Sequence, residues 1–240
     1  MVLTRGWSMT TGTWARSYEE IIDVLTENLG ALEKKLESLS EADWSRPTRL
    51  QPPNPDNPPW SVLQLAGHMD FFMGMVMGLV GEPQSVPPIM DRSSFGMCVA
   101  DRANVAPAVY QIMIDHTAGH TPATILDAVR STFKQALAAI DGTPRDTVGP
   151  AFFGPMRLDE LVITRVVETT IHGIDLTDAV GEAPLHLPRA CTMTAEVLDD
   201  ILARRWLPGR PADLADDDLA FVRAAAGRGE HPDPRLPLVG

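Results

Sequence analysis

Apolar residues recur at helical spacing along most of this chain. Ile21, Ile22, Leu25, Leu29, Leu32 and Leu36 follow Ser17-Tyr18-Glu19-Glu20, an S-x-x-E start signal, and predict an amphipathic helix over 18–38. Pro52, Pro53, Pro55, Pro58 and Pro59 then impose extended backbone, with at best a short helical turn after Leu39. Ser61 and Gln64 form a second start signal, and Val62, Leu65, Met69, Phe72, Val76 and Leu79 make the stripe of a second helix. Residues 81–104, with Pro83, Pro87 and Pro88, read as loop, followed by a helix over 105–115. Thr121 caps and Pro122 opens the next helix, striped by Ile125, Leu126, Val129, Phe133, Leu137 and Ile140. A Gly/Pro-rich connection over 141–156 leads to a helix over 158–180 that Gly181 stops. Further helices are predicted over 189–206 and 215–226, before a proline-rich tail from His231 to Gly240.

No stretch alternates as a half-buried strand would, so the pattern predicts an all-α fold built as a helical bundle. It divides into a flexible N-terminus (1–16), a four-helix bundle (17–181) and a C-terminal helical extension and tail (182–240). Composition agrees: 44% hydrophobic and 22% charged residues over 240 allow a sizeable core. A net charge of −12 with no basic run excludes nucleic acid as a partner and points to a small molecule. Cys98 and Cys191 make neither a disulfide framework nor a zinc ribbon, and Cys98 reads as a loop residue with no base beside it. Met1 to Arg16 resembles no signal peptide, and Gly74 and Gly78 break the longest apolar run, so no membrane span is expected. The expectation is a cytoplasmic monomer or homodimer.

The helix over 158–180 carries the chemistry. Leu158, Leu161, Arg165, Glu168, His172 and Leu176 share one face, and Glu168 and His172 stand four apart, roughly 5–6 Å at Cβ. His68 falls within the apolar stripe of the second helix. Two His and one Glu are a divalent-metal ligand set that leaves one position open, the catalytic pattern. Zinc suits it; iron, nickel and manganese suit it too. The alternative is a satisfied core histidine at His68 and a Glu168–Arg165 ion pair. Asp175 either orients His172 or is an ordinary helix-surface carboxylate. Arg165 either holds an anionic substrate group or neutralises Glu168. His116 and His120 sit at a loop and helix start, a surface or outer role; His186 and His231 stand beside prolines and read as solvated. There is no H-E-x-x-H, G-x-S-x-G, P-loop or dinucleotide fingerprint.

Trp60-Ser61-Val62-Leu63-Gln64-Leu65-Ala66-Gly67-His68 resembles the opening motif of the DinB-like superfamily, and Val167-Glu168-Thr169-Thr170-Ile171-His172-Gly173-Ile174-Asp175-Leu176 is similar to its E-x-x-x-H-x-x-D-L helix. The branch it most resembles contains mycothiol-dependent maleylpyruvate isomerase, and the tail from Gly227 to Pro237 resembles that branch as well. The resemblance implies a DinB-like four-helix bundle with a zinc or other divalent ion on His68, Glu168 and His172, and mycothiol as cosubstrate in an actinobacterial cytoplasm. The stretch after residue 181 looks short for that enzyme's full C-terminal domain.

The first expectation is therefore a metal-dependent thiol transferase. It binds a low-molecular-weight thiol as thiolate for S-transfer or exchange on a small electrophile, with no side-chain base assigned. Asp175, Arg165 and His120 are the residues expected around the ligands or the substrate. A maleylpyruvate-type cis–trans isomerase comes second, and a metal-dependent hydrolase or a non-catalytic helical binding protein third.

Overall fold

The computed structural model describes residues 16–239 apart from 51, 53, 186 and 207, and omits the side chains of 102–104. The expected loose N-terminus thus lies outside the described residues except for Arg16, whose guanidinium bonds Glu196 at 2.6–2.7 Å and also reaches Glu20.

Four long helices make the bundle: α1 (Tyr18–Glu37), α2 (Val62–Gly81), α5 (Pro122–Asp141) and α6 (Leu158–Val180). Their ends are set by the residues the sequence singles out. Ser17 Oγ accepts from Glu20 N, Ser61 and Gln64 close a capping box, Thr121 caps α5 ahead of Pro122, and Gly181 ends α6 at φ 74°. Helices α1 and α2 each pack against both α5 and α6, so the four form a closed ring around one core. A polar contact crosses that core: the Asn28 amide donates to the Thr169 and Thr170 hydroxyls at 2.7 and 3.1 Å, fixing the register of α1 on α6.

Between α2 and α5 lie α3 (Arg92–Val99) and α4 (Arg102–Thr117). Helix α3 corrects the expected loop over 81–104. Asp91 and Ser94 form its capping box, a signal overshadowed by the neighbouring prolines, and eight residues are too few to show a periodicity. Cys98 accordingly sits on a helix, where burial raises its thiol pKa. Helix α4 is longer than expected and runs through Pro107. The connection before α6 holds a minimal hairpin, β1 (Val148–Gly149) against β2 (Met156–Arg157). Helices α7 (Pro188–Arg205) and α8 (Asp218–Ala225) follow, α7 packing on α3 and α6 and α8 on α7.

Helix α2 also corrects the membrane expectation. Gly74 and Gly78 do not interrupt it, because an interior glycine weakens a helix without ending it. By length and composition its 20 residues could cross a membrane; here its buried side packs into the bundle. His231, expected to be solvated, is instead bonded to Asp213 at 3.1 Å with its side chain 9% exposed. His186 lies outside the described residues.

Candidate metal centre and its cavity

His68 sits on α2 and Glu168 and His172 on α6, and the packing of these two helices brings them together. Glu168 Oε2 lies 3.2 Å from His172 Nε2 and 3.9 Å from His68 Nε2. One donor atom from each of the three lies within 4.8 Å of the others. Donors on a tetrahedral ion with bonds of ~2.0–2.1 Å stand roughly 3.3 Å apart, so small side-chain movements would close the cluster. The rings of Trp60 and Phe72 flank His68 at 5.2 Å, and the two imidazoles meet edge to face at 4.8 Å.

The electrostatics suit a cation. Burial opposes charge on Glu168, yet His172 and then His68 hold its carboxyl well below the usual range. Burial also opposes charge on His172, but Asp175 and Glu168 outweigh it and raise the imidazole pKa. At His68 burial outweighs the support of Glu168 and pushes the pKa down. The result is an anionic Glu168 facing one neutral imidazole and one that shares a proton with it. A divalent ion would take that proton's place, and the donor set fits one.

Asp175 is no surface carboxylate. It is fully buried, and its Oδ2 lies 2.9 Å from His172 Nδ1, which leaves Nε2 facing the cluster. Arg228 clamps the same carboxylate with two hydrogen bonds, Nε to Oδ1 at 2.9 Å and Nη2 to Oδ2 at 2.7 Å. Burial pushes the Asp175 pKa up, but His172 and Arg228 together bring it down to about 2. Arg228 escaped the sequence reading: it stands 53 residues beyond Asp175, and only the resemblance of the tail hinted at it.

Arg165 neither pairs with Glu168 nor presents itself to solvent. It is 1% exposed, donates to the Phe72 carbonyl at 2.9 Å and to Thr164 Oγ1, and lies over the Phe72 and Phe95 rings. Burial lowers its pKa to about 10, against the pull of Glu168. His120 sits at a loop and helix start, where the sequence put it. Gly119, at φ 79°, turns the chain so that His120 packs at the start of α5, with Nδ1 3.3 Å from Thr124 Oγ1 and no place on the cavity wall. His116 pairs with Asp70 at 2.8 Å, tying α4 to α2.

The three ligand candidates stand on the wall of a half-open cavity of about 200 Å³, lined by α2, α3, α4, α6, α7 and the turn at 152–153. Phe71, Phe72, Phe95, Phe152 and Phe153 give it an aromatic lining.

Residues 25–177 match the family described as the mycothiol maleylpyruvate isomerase N-terminal domain, well over half of the chain. Two solved structures share the fold. One is a crystal structure of the mycothiol-dependent maleylpyruvate isomerase, at 15% identity and a TM-score of 0.60. The other is a histidine-to-alanine mutant of that isomerase, at 13% and 0.62. Each match covers 89% of this chain and 90% of the other, so the likeness runs past the bundle and the stretch after residue 181 is not the shortfall expected. At these identities the likeness is one of fold. No curated protein matches the chain significantly.

Proposed function

This chain belongs to the family of the mycothiol maleylpyruvate isomerase N-terminal domain, and from that premise we propose that it is an enzyme using mycothiol as cosubstrate and a divalent ion, zinc by preference, at His68, Glu168 and His172. The observation that carries the reading is the convergence of these three side chains on the cavity wall, with Asp175 and Arg228 fixing His172 from behind. A bound ion would supply positive charge at an open position, where a thiol loses its proton far below its usual pKa.

The chain's own residues do the rest. His68 and His172 offer imidazole nitrogens, and Glu168 brings the negative charge. Asp175 holds the Nδ1–H of His172, so that its tautomer and ring plane are set before anything binds. The aromatic lining gives the sulfur and its target an apolar surrounding.

The reaction proposed is cis–trans isomerisation of a double bond conjugated to a carbonyl. The thiolate sulfur bonds to the β-carbon while the π pair moves onto the carbonyl oxygen as an enolate. The former double bond rotates, the pair returns, the C–S bond breaks and the thiolate is regenerated. No proton is needed on carbon. The site supports this over net addition of the thiol, which must protonate carbon. Apart from the three ligand candidates and two arginines, the only titratable side chain on the wall among the described residues is Tyr110, whose O–H is given to the Pro58 carbonyl at 3.2 Å. S-transfer by displacement of a leaving group uses the same thiolate and is the second reading.

Elemental analysis of tag-free protein beside His172→Ala tests the centre. About one divalent ion per chain, lost in the variant, is expected. Absence of metal from both, even after reconstitution, would overturn the proposal. Turnover independent of thiol would point to hydrolysis instead.

A further inference from the structure

We propose that the electrophile taken by this cavity is a neutral, largely apolar molecule, about the size of one substituted aromatic ring, and not a dicarboxylate. The inference rests on the thiol-enzyme reading for what happens to the substrate, but on the cavity alone for what the substrate is.

The argument begins with charge. Among the described residues two cations touch the cavity, and both are held by buried partners. The Arg165 guanidinium gives Nη1 to the Phe72 carbonyl and both Nε and Nη2 to Thr164 Oγ1, with aromatic rings on its faces. Arg228 gives Nε and Nη2 to Asp175 and Nη1 to the Ala226 carbonyl, and is 7% exposed. Arg228 cannot turn to a substrate carboxylate without abandoning the buried Asp175, which costs several kcal/mol, and Arg165 is 1% exposed with the Phe72 and Phe95 rings over its faces. Glu168 adds a negative charge on the wall itself. The compound named with the neighbouring crystal structures, maleylpyruvate, carries two carboxylates. A bound ion could receive one of them only in place of the thiol, and the other would have to be desolvated with no free guanidinium among the described residues to receive it.

Shape and chemistry of the remaining wall point the same way. Opposite the ligand candidates it is made of Phe95, Val99, Val109, Leu198 and Ile201. An apolar cavity near 150 Å³ takes one benzene ring. About 200 Å³ therefore leaves room for a ring and a short conjugated carbonyl arm. Polar matter has somewhere else to go. A second hollow, lined by Arg49, Arg205 and the backbone around Pro237 and Leu238, meets the first at Leu50, Arg228 and Val239. It lies outside the aromatic chamber and away from the ligand triad.

The test is calorimetric binding of neutral cis-4-phenylbut-3-en-2-one and of maleylpyruvate to the protein without thiol, with and without added divalent ion. The neutral ketone should bind at least about tenfold more tightly, a difference of about 1.4 kcal/mol. Val109→Arg, which places an uncommitted guanidinium on a half-buried wall position, should weaken the ketone and tighten the dianion. Tyr110→Arg repeats the exchange from the rim, should the first variant fold poorly. Equal or tighter binding of maleylpyruvate by the native chain overturns the proposal. So does failure of the ketone to bind, and so does a dianion affinity that Arg205→Ala abolishes, since the second hollow would then be the carboxylate site. A protein that ranks the ligands as expected yet holds no metal would sink the thiol mechanism and leave the cavity reading intact.

Discussion

The two walls of the cavity were made in different ways. The wall that carries His68, Glu168 and His172 comes from α2 and α6, long helices with capped or glycine-terminated ends and full periodic stripes. The facing wall comes from pieces: the eight residues of α3, one side of α4, the 152–153 turn, part of α7 and Val239 near the C-terminus. The groups proposed to hold an ion, which would need placing within tenths of an ångström, sit on the stiff elements. Groups that only need to be apolar and the right size sit on the short ones. Chemistry and substrate choice are thereby separated in the fold, so they should respond separately to mutation.

The same division governs what the sequence reveals. The ligand candidates are legible because helix geometry turns a four-residue spacing into proximity, and because an ionisable group in an apolar stripe demands a partner. Asp175 is half legible, at i+3 from His172 on the same helix. Arg228 is not, because nothing local ties a tail residue to a helix 53 positions earlier. Helix α3 is invisible for want of length, and with it the closing of the cavity. His120 is legible in its place if not in its role: Gly119 turns the chain there, and Thr121-Pro122 starts the helix behind it.

Arg228→Ala should have the largest effect. It leaves the Asp175 carboxylate buried with only His172 beside it, a loss of about 3–5 kcal/mol in denaturant unfolding. Because Asp175 then holds His172 less firmly, metal affinity should fall about 10–100-fold in a competition titration. A variant as stable and as tightly metallated as the native chain would detach the C-terminal tail from the ligand wall.

Acid offers an intermediate perturbation of the same wall. The Asp175 carboxyl is held at about 2 in the folded chain, against 3.8 ordinarily. A depressed carboxylate contributes stability above its unfolded pKa and loses it as pH falls through the folded one. Metal-stripped protein should thus lose about 2–3 kcal/mol between roughly pH 4 and 2 from this group. Glu168, also depressed, adds loss in the same direction. In Arg228→Ala the Asp175 share of that loss should move to higher pH, since the guanidinium no longer keeps the proton off. Urea midpoints measured across this range in both proteins would show it. Coincident pH curves would mean that Arg228 does not control the carboxylate.

The smallest expected change is the sharpest test of separation, because it touches the facing wall alone. Gly96 lies on α3, where an added Cβ would come within 2.7 Å of Ile201 Cδ1. That contact is the free end of a flexible side chain, and the cavity it lines gives it somewhere to move. Alanine in a helix interior is worth up to about 1 kcal/mol over glycine, and displacing one methyl offsets part of this. Gly96→Ala should therefore unfold within about 1 kcal/mol of the native chain and bind metal unchanged, while the shifted Ile201 narrows the chamber and weakens the aryl ketone a few-fold. Altered metal affinity in this variant would mean that packing carries strain across the cavity to α6, and that chemistry and substrate choice share one wall after all.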